Sequence, residues 1–356
     1  MVTLEKEALL AAIKKVIPGV EKGKSTIEGA DQLLFSGKFV HSYNGMVAVS
    51  APCDTQGQEF AVKGLDFFRL VDRMNDLLLS IELAGGKLKV TGGRTKASMS
   101  LLDPSKIKTY VAAINVEAVQ FNKVPEGFVD GIRITSISGN TTKLKGVAVT
   151  DYEDGSAVIA TDMKRICLTK LPSPMSTFWV DDGTLSDAFK CGEPLEYSVT
   201  GPWLHFKYED GTVFSAQRKD HAGYPFTTCK NFVNAIPSAE VKMSGRLPQD
   251  IKDAVNRVAV LASGTEDNSS LVEMIFHKDE LELHAEKQGG EATETIPWDV
   301  PPSADPENTQ VWVDVAFLTE AANKTVDFSL VSINNQPPSL IFKSDNYTQM
   351  VSSNKK

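Results

Sequence analysis

Apolar positions near the N-terminus repeat with the spacing of an amphipathic helix. The apolar stripe is formed by Leu9, Leu10, Ile13, Val16 and Ile17. Lys14 and Lys15 fall off this stripe, and Pro18 is expected to end the helix because proline cannot donate the next backbone hydrogen bond. Residues 77–101 then alternate apolar and polar positions around two Gly-Gly pairs, which predicts antiparallel strands joined by tight turns.

The same order of helix, hairpin, second helix and second hairpin occurs three times along the 356-residue chain, at a spacing of about 119 residues. The second helices are predicted at residues 64–75, 183–191 and 313–323. The first helix of the third repeat has an apolar stripe over residues 247–259, whereas its counterpart near residues 126–138 is weaker because Gly131 interrupts it.

Each repeat combines amphipathic helices with alternating strands. The predicted fold class is therefore α+β, with helices packed on one face of antiparallel sheet in each of three repeated domains. Boundaries near residues 117 and 237 give domains of residues 1–117, 118–237 and 238–356.

The composition is that of a globular protein, with 42% apolar and 23% charged residues and a net charge of −9. Domains that grip nucleic acid by neutralising many phosphates are usually strongly basic, so any contact with DNA must use a local basic surface or topology. The N-terminal residues lack the apolar core of a secretory signal, and no apolar run approaches the roughly 18 residues of a membrane span. A cytoplasmic protein without a membrane partner is expected.

The spacing of cysteines and histidines does not match the common metal sites or a disulfide framework. The cysteines are scattered with no CxxC pair, and the histidines show no HExxH motif; they are Cys53, Cys167, Cys191 and Cys229, and His41, His205, His221, His277 and His284. His277 and His284 could meet across a hairpin, but two separate imidazoles are the simpler interpretation. No metal or cofactor is predicted.

Residues 19–26, GVEKGKST, come within one residue of the phosphate-binding pattern GxxxxGK[ST]. A P-loop follows a strand and opens a helix, so that backbone N–H groups at the helix N-terminus hold the phosphate. Here a helix precedes the segment and a strand-like segment follows it. This order favours a lysine-bearing loop over a nucleotide site.

Asp162, Lys164 and Arg165 include the residue types of an acid, a base and an anion-binding group. On a single strand, Asp162 and Lys164 would face away from Met163 and Arg165, so the groups would not converge on one reacting atom. A structural or peptide-binding role is expected, and no catalytic residue is predicted.

One segment resembles a known family. Residues 158–168, VIATDMKRICL, resemble the ATD-x-x-R-L strand of the beta subunit of the bacterial replicative DNA polymerase, the sliding clamp. Residues 144–147, LKGV, resemble the L-N-G-x hairpin of that family, and Leu144 precedes Thr161 by a family-like interval.

Further similarity and some departures lie downstream. The dipeptides Tyr224-Pro225 and Ile236-Pro237 resemble the ends of the segment that joins the second and third clamp domains, but the stretch between them is longer than in the family. Residues 163–164, Met-Lys, replace the usual Gly-His, and the chain ends YTQMVSSNKK instead of with a Met-Pro-Met-Arg-Leu-like sequence. Such departures are expected of a divergent clamp, a viral one included, and they leave the preferred partner motif open.

The resemblance implies that two copies of the chain close a ring of six similar domains, with helices around a central hole that holds duplex DNA. The homodimer would tether a DNA polymerase after a clamp loader opens it, and it would not be an enzyme. The implied DNA-facing residues are Lys14, Lys15, Lys22, Lys24, Arg69, Arg73, Arg133, Lys190, Lys252 and Arg257. Each could equally be an ordinary solvated residue, and only their recurrence on equivalent helices favours DNA.

In the family, a pocket between the second and third domains receives short hydrophobic peptides from polymerases and the clamp loader. Carried over to this sequence, the pocket is formed by Leu144, Thr161, Met163, Lys164, Arg165, Ile166, Pro225, Ala235, Thr348 and Met350. An apolar recess with a few polar groups suits an anchored peptide. The alternative is that Leu144, Ile166 and Met350 only fill the core.

Two other classes of function remain open on the sequence alone. One is a clamp-fold interaction scaffold that does not encircle DNA, which a monomeric mass in solution would favour. The other is a nucleotide-binding enzyme that uses residues 19–26, which measurable nucleotide binding would favour.

Overall fold

The computed structural model describes residues 1–23, 26–262, 270–287, 290–303, 309–333 and 337–353. Within these ranges the helices are α1 (Lys6–Val16), α2 (Gly64–Arg73), α3 (Ser105–Ile114), α4 (Phe128–Thr135), α5 (Asp182–Phe189), α6 (Phe226–Ala235), α7 (Ile251–Val258) and α8 (Val315–Lys324). None of these helices is long and apolar enough to span a membrane.

The strands run almost entirely antiparallel to their neighbours. The first twelve are β1 (Val2–Glu5), β2 (Gln32–Ser36), β3 (Phe39–Tyr43), β4 (Val47–Pro52), β5 (Phe60–Lys63), β6 (Leu78–Ala84), β7 (Lys87–Gly92), β8 (Thr95–Ser100), β9 (Asn122–Lys123), β10 (Val147–Tyr152), β11 (Gly155–Thr161) and β12 (Arg165–Leu171). The others are β13 (Phe178–Val180), β14 (Glu196–Thr200), β15 (Trp203–Lys207), β16 (Val213–Gln217), β17 (Glu240–Arg246), β18 (Leu271–Phe276), β19 (Glu280–Lys287), β20 (Gly290–Pro297), β21 (Thr309–Asp314), β22 (Asp327–Ser332), β23 (Ser339–Lys343) and β24 (Tyr347–Ser352).

The chain forms two compact units. Unit 1 comprises Met1–Val124 and Phe178–His221, and unit 2 comprises Pro125–Thr177 and Ala222–Lys356. Each unit therefore combines two separate stretches of the chain. The domain boundaries near residues 117 and 237 remain predictions.

Unit 1 contains a sheet of strand order β1-β6-β7-β8 and a larger sheet of order β5-β2-β3-β4-β16-β15-β14-β9. The helix α1 packs against β3, β4 and α2, and its Ile13 and Val16 are fully buried. Phe35 stacks on Phe60 with a centroid distance of 4.6 Å and meets the edge of Phe67 at 5.6 Å. These three rings tie β2, β5 and α2 into one core.

Unit 2 contains strands hydrogen bonded in the order β10-β11-β12-β24-β23-β22-β17 and a second sheet of order β20-β19-β18-β21. The helix α7 packs on α8, β19 and β20. Trp298 stacks with Phe276 and Phe328 at centroid distances of 6.2 and 6.3 Å. This aromatic stack joins β18 of one sheet to β22 of the other within one core cluster.

The helix that was expected to be weak at Gly131 runs through that residue. The helix α4 packs on β12, and a Cβ at Gly131 would lie in ordinary van der Waals contact, 3.4 Å from side-chain atoms of Leu171 and Thr169. Crowding therefore does not require a glycine at this position, and packing on the sheet compensates for its low helix propensity.

Two strand pairs join half-sheets within the units. In unit 1, β4 pairs with β16 and joins β5-β2-β3-β4 to β16-β15-β14-β9. In unit 2, β12 pairs with β24, from Arg165 opposite Val351 to Thr169 opposite Tyr347. The strands β8 and β20 hold the matching positions in the two four-stranded sheets and are edge strands there.

The α+β class with antiparallel sheets is confirmed. The second helices predicted at residues 64–75, 183–191 and 313–323 correspond to α2, α5 and α8. The helices α3 and α6 were not predicted. They follow Pro104 and Pro225, and α6 lies in the stretch that was interpreted as the connection between the second and third domains.

Candidate functional site

A tight turn at residues 162–164 connects β11 to β12 and shapes the candidate site. The Asp162 Oδ1 accepts hydrogen bonds from the backbone N–H groups of Lys164 at 3.1 Å and Arg165 at 2.9 Å. The Thr161 hydroxyl accepts one from Met163 N–H at 3.1 Å and donates one to the Arg165 carbonyl at 2.8 Å. Met163 is held at φ 72°, a left-handed conformation that non-glycine residues rarely adopt, with its side chain 66% exposed.

Arg165 is buried at the centre of an ion-pair network. Its side chain is 2% exposed, and its Nε donates a hydrogen bond to Asp162 Oδ2 at 2.8 Å. Its Nη1 donates to Glu320 Oε2 at 3.0 Å, and its Nη2 donates to the Ser138 carbonyl at 2.7 Å. The guanidinium carbon also lies 4.1 Å from the centroid of the Phe317 ring. Through Glu320 and Phe317, the network therefore holds the turn against α8.

The expectation that Asp162 and Arg165 face apart on one strand is wrong. Residues 162–164 form a turn, which brings the Asp162 carboxylate next to the Arg165 guanidinium. The two side chains form an ion pair. Both side chains are buried and neutralise each other, as buried charges require. The expected structural role remains, because this pair holds the turn in place.

Glu320 completes the charge balance of the network. Burial raises the pKa of this carboxyl, but Lys324, Ser138 and Arg165 outweigh it, so the pKa lies below its ordinary value. Lys324 Nζ donates a hydrogen bond to Glu320 Oε1 at 2.8 Å, one helical turn away on α8. Glu320 is therefore ionised at neutral pH and balances the charge of Arg165.

A cavity of about 430 Å³ opens beside the turn, and we name it the α6 cavity. Its floor is apolar, since Ile166 and Met350 are each 6% exposed and Ile333 is 5% exposed. Its described lining is Thr161, Met163, Lys164, Arg165, Ile166, Pro225, Thr228, Cys229, Phe232, Ile333, Pro337, Ser339, Met350, Ser352 and Ser353. The cavity thus lies where β12 pairs with β24, with α6 as one wall.

The structure brings most of the predicted pocket residues together. Those that line the α6 cavity are Thr161, Met163, Lys164, Arg165, Ile166, Pro225 and Met350. Thr348 does not, because it is buried opposite Leu168 deeper in the sheet. Ala235 ends α6 beyond the lining residue Phe232, and Leu144 lies half-buried in the loop before β10.

Sequence reasoning missed the α6 wall. Thr228, Cys229 and Phe232 lie on one face of the helix because they are one, three and four positions apart. Burial raises the pKa of the Cys229 thiol to about 11, so it contributes a neutral, apolar surface. The available signal was Pro225 followed by a stretch with no glycine or proline up to Ile236.

The corresponding position in unit 1 is filled by aromatic side chains. Tyr43 ends β3 as Thr161 ends β11. It stacks on Tyr110 of α3 at a centroid distance of 4.7 Å and lies 6.3 Å from the Trp203 ring. Aromatic rings therefore lie at this strand end in unit 1, where unit 2 has the smaller Thr161 side chain.

Carboxylates pair with several of the predicted DNA-facing residues. These ion pairs are Lys15–Asp210, Arg69–Asp66, Arg133–Asp130, Lys190–Asp187 and Arg257–Glu294. Within the described ranges, no carboxylate forms an ion pair with Lys14, Lys22, Arg73 or Lys252. Lys24 lies outside the described residues. The basic character of the helices is therefore weaker than the sequence suggests.

The other motifs do not converge on a site in the part of the chain that the structure describes. The P-loop-like segment follows the helical residues Lys6–Gly19 and precedes β2, and its residues 24–25 are not described. His277 Nε2 lies 3.1 Å from Glu282, and His284 Nδ1 lies 2.9 Å from the Thr293 hydroxyl. Among the described residues, no group of three His, Cys, Asp or Glu side chains could hold a metal ion.

No protein-family model matches the sequence, and no curated protein is similar to it. The fold is nevertheless similar to solved bacterial structures. The DNA polymerase III beta chain of Streptococcus pneumoniae has a TM-score of 0.83 at 14% identity, covering 99% of both chains. The DNA polymerase sliding clamp of Bacillus subtilis has a TM-score of 0.81 at 16% identity, covering 99% of this chain and 98% of that one.

A third structure, the DNA polymerase III beta subunit of Thermotoga maritima, has a TM-score of 0.77 at 14% identity, covering 100% of this chain and 99% of that one. The similarity therefore extends over the whole chain. The chain has the fold of the bacterial sliding clamps, which confirms the fold predicted from the ATD segment.

Proposed function

We propose that this chain is a DNA sliding clamp, a ring that encircles duplex DNA and tethers a DNA polymerase without catalysing a reaction itself. The observation that carries the proposal is the similarity in fold to sliding clamps over the whole chain. The protein would act in the cytoplasm, where a clamp loader opens the ring.

The arrangement of half-sheets supports ring closure by a second copy. Within the chain, β4 pairs with β16 and β12 pairs with β24, and β20 and β8 are the strands at the matching edges. If β20 of one copy pairs with β8 of the other, every half-sheet gains the partner that the internal ones have. Two such contacts, related by a two-fold axis, would close a homodimer.

Charge complementarity supports the same pairing. Residues 87–101 of the β7-β8 hairpin contain basic residues and no acidic one, and Arg94 and Lys96 are exposed. Residues 290–297, which form β20, contain the exposed Glu291 and no basic residue, whereas Glu294 is paired with Arg257 of α7. Opposite charges on the two edges favour contact between them and disfavour contact of either edge with itself.

We expect light scattering at micromolar concentration to give twice the 38.7 kDa of one chain. Reversing Arg94 and Lys96 to glutamate should weaken the dimer by about tenfold or more, because both edges would then be acidic. Adding Glu291→Lys should restore part of the loss. The same double reversal at Lys38 and Lys143, which are exposed outside these strands, is the control. A monomeric wild-type protein would contradict the ring.

The balance of charges indicates how such a ring would hold DNA. Attraction between basic side chains and phosphates is independent of sequence and screened by salt, so it permits sliding. The net charge of −9 and the carboxylate partners of Arg69, Arg133 and Lys190 keep this attraction weak. Retention on DNA must therefore come from closure of the ring around it.

The test of the proposal is retention on circular DNA. Rings opened by dilution and reclosed by concentration in the presence of nicked plasmid should remain on the DNA during gel filtration at about 1 M salt, where phosphate contacts are screened. A single restriction cut should release them. Equal loss from circular and linear DNA would contradict encirclement and favour a scaffold that does not enclose DNA.

Charge reversal on the helices should separate loading from ring formation. Lys14→Glu, Arg73→Glu and Lys252→Glu remove cations that no described carboxylate neutralises, so together they should reduce loading on DNA while the dimer remains. Lys38→Glu, Lys143→Glu and Lys278→Glu make the same change of charge at exposed turns. Equal loading by the two triple variants would show that the helices do not face DNA.

The second part of the proposal is partner capture in the α6 cavity. An enclosed apolar floor with a few polar groups at its rim is the usual form of a site for an anchored peptide. The aromatic cluster of Tyr43, Tyr110 and Trp203 lies at the matching strand end in unit 1, so the proposal is confined to the α6 cavity of unit 2.

A further inference from the structure

We propose that a second cavity, in unit 1, binds a peptide of a partner protein in which apolar side chains are followed by lysine or arginine. We name it the α3 cavity, because the last turn of α3 forms part of its wall. The inference goes beyond the proposed function, since neither encirclement of DNA nor partner capture in the α6 cavity depends on it.

The α3 cavity lies on the larger sheet of unit 1, where β4 pairs with β16. Ser50 of β4 lies opposite Val213 of β16, and both line the cavity. The chain from the end of α3 to the start of β9, residues 111–121, contributes the other side. The volume is about 600 Å³, within the range of roughly 300–1,000 Å³ that is usual for ligand pockets.

The apolar part of the peptide follows from apolar side chains that the chain itself covers only in part. Phe39 on β3 is 38% exposed. The other large apolar side chains of the lining are half-buried, and they are Val111, Val116, Val119, Phe121 and Val213. A ligand that covers these side chains removes apolar surface from water, which favours binding.

The basic part of the peptide follows from the negative end of α3. Ala112 and Asn115 line the cavity, and Asn115 ends the helix in a left-handed conformation with φ 47°. The last carbonyl groups of a helix carry partial negative charge, and the last turn of α3 contains no basic residue to offset it. A cation beside Asn115 would be stabilised by these carbonyl groups.

Glu117 adds a full negative charge at the same end of the helix. It lies two residues beyond Asn115, lines the cavity and is exposed. Within the described ranges, no basic side chain forms an ion pair with it. A lysine or arginine of the ligand can therefore pair with Glu117 without displacing a partner from the chain.

The other ionisable groups of the lining are already compensated. Lys207 Nζ lies 2.9 Å from Glu196 Oε2 and 5.5 Å from the centroid of the Phe121 ring, so the charge of this lysine is balanced. Burial lowers the pKa of His41 to about 4, so the imidazole is neutral at pH 7, with its Nδ1 2.8 Å from the Ser50 hydroxyl. The excess charge of the described lining is therefore that of Glu117.

These features favour a peptide as the occupant. The apolar side chains line the cavity, whereas the carboxylate of Glu117 is exposed at its rim, so an extended chain can place apolar groups inside and a basic group outside. An acidic peptide would meet both Glu117 and the negative end of α3, which disfavours it.

The test uses the full-length protein and three fluorescein-labelled ten-residue peptides. Each contains two phenylalanines and a leucine, and the two positions that follow are lysine in one peptide, glutamine in the second and glutamate in the third. Fluorescence anisotropy at about 50 mM salt should show the lysine peptide binding about fivefold more tightly than the glutamine peptide, and the glutamate peptide binding most weakly. The difference should shrink at about 300 mM salt, because exposed charges are screened.

Substitutions of carboxylates assign the preference to one residue. Glu117→Gln should reduce the preference for lysine to less than about twofold while leaving affinity for the glutamine peptide unchanged. Glu126→Gln removes an exposed carboxylate that does not line the α3 cavity, so it should leave the preference intact.

Substitutions of apolar side chains locate the peptide in the α3 cavity. Phe39→Gln should weaken all three peptides at least fivefold, and the exposure of this side chain makes the variant compatible with folding, which an unchanged dimer mass would verify. Met163→Asp alters the rim of the α6 cavity and should leave the three affinities unchanged.

The outcomes distinguish this inference from the proposed function. Equal binding of the lysine and glutamine peptides, binding of none of them, or a preference that survives Glu117→Gln would overturn the inference. Binding that Met163→Asp changes and Phe39→Gln does not would place the peptide in the α6 cavity. A mass above that of a dimer, lowered by Phe39→Gln, would identify a second copy as the occupant. Retention on circular DNA is measured separately and does not depend on any of these results.

Discussion

Replacing Arg165 with methionine is expected to lower the free energy of unfolding of unit 2 by about 3–5 kcal/mol, the usual loss when one partner of a buried ion pair is removed. The substitution leaves the carboxylates of Asp162 and Glu320 without their guanidinium partner at 8% and 11% exposure. It also leaves the Ser138 carbonyl without its donor at 2.7 Å. The loss should be large because a buried unpaired charge costs more than the pair contributes.

The measurement is urea unfolding followed by tryptophan fluorescence. Trp179→Phe and Trp203→Phe remove the reporters of unit 1, so that Trp298 and Trp312 report on unit 2. A loss below about 1 kcal/mol would mean that the network contributes no more than an exposed ion pair.

Two further variants separate the network from a general effect of removing arginine. Arg133→Met removes a guanidinium whose side chain is 58% exposed and whose partner is Asp130, so it should cost less than about 1 kcal/mol. Glu320→Gln, combined with Arg165→Met, should cost less than the sum of the two single changes, because both act on one network. Additive costs would contradict the coupling.

The sequence predicted the elements whose signal is local. The stripe on α1 and the alternation before and after Gly85-Gly86 correspond to a helix and a hairpin, because their periodicity follows directly from burial on one face. The α6 helix was missed since its segment was interpreted only as a connection, and no element was predicted for the segment that forms α3. Their apolar faces are short, so packing against the sheets contributes more to their stability than periodicity reveals.

The residues of the candidate site that are neighbours in sequence were predictable, whereas those that tertiary contacts bring into the site were not. The ATD segment identified Thr161, Lys164 and Ile166, which follow one another around a single turn. The pairing of Arg165 with Glu320 on α8 could not be predicted, because the two residues are 155 positions apart. The same reason explains Ile333 and Ser339, which enter the lining through the pairing of β22 and β23.

The ion pairs on the helices change how the basic residues are interpreted. Asp66 and Asp130 each lie three positions before an arginine on α2 and α4, and Asp187 lies three positions before Lys190, the residue that follows α5. Such pairs stabilise a helix only slightly, but each carboxylate cancels the charge of its basic partner. A protein held to DNA by these helices alone would bind weakly and release at modest salt, whereas a closed ring requires only weak contact.

Unit 1 is expected to lose stability as the pH falls from 6.5 towards 4, because two imidazoles in its larger sheet are held neutral. Burial lowers the pKa of His205 and of His41 to about 4 in each case. His205 is fully buried and its Nδ1 lies 2.8 Å from the Ser215 hydroxyl. His41 makes the same contact with Ser50 at 2.8 Å.

The direction of this pH dependence follows from the number of protons that the folded and unfolded states bind. Below pH 6.5 the histidines of the unfolded chain take up protons, whereas the folded ones remain neutral until the pH approaches 4. The unfolded state therefore binds more protons in this window, and the free energy of unfolding falls as the pH falls. For His205 the full loss is about 3 kcal/mol once the pH has passed below 4, and His41, which is partly exposed, adds less.

The test compares the wild-type protein with His205→Gln and with the double variant His41→Gln, His205→Gln. Urea unfolding of unit 1, reported by Trp179 and Trp203 after replacement of the two tryptophans of unit 2 by phenylalanine, gives the free energy of unfolding at each pH. Carboxylates also titrate in this range, but they do so in all three proteins, so the difference between curves isolates the histidines.

At pH 7.5 the wild type should be more stable than either variant, because glutamine cannot fill the space of a packed imidazole ring. That advantage should shrink by about 3 kcal/mol between pH 6.5 and 4 for His205→Gln, and by more for the double variant. Parallel curves would show that the two imidazoles charge in the folded sheet as readily as in the unfolded chain.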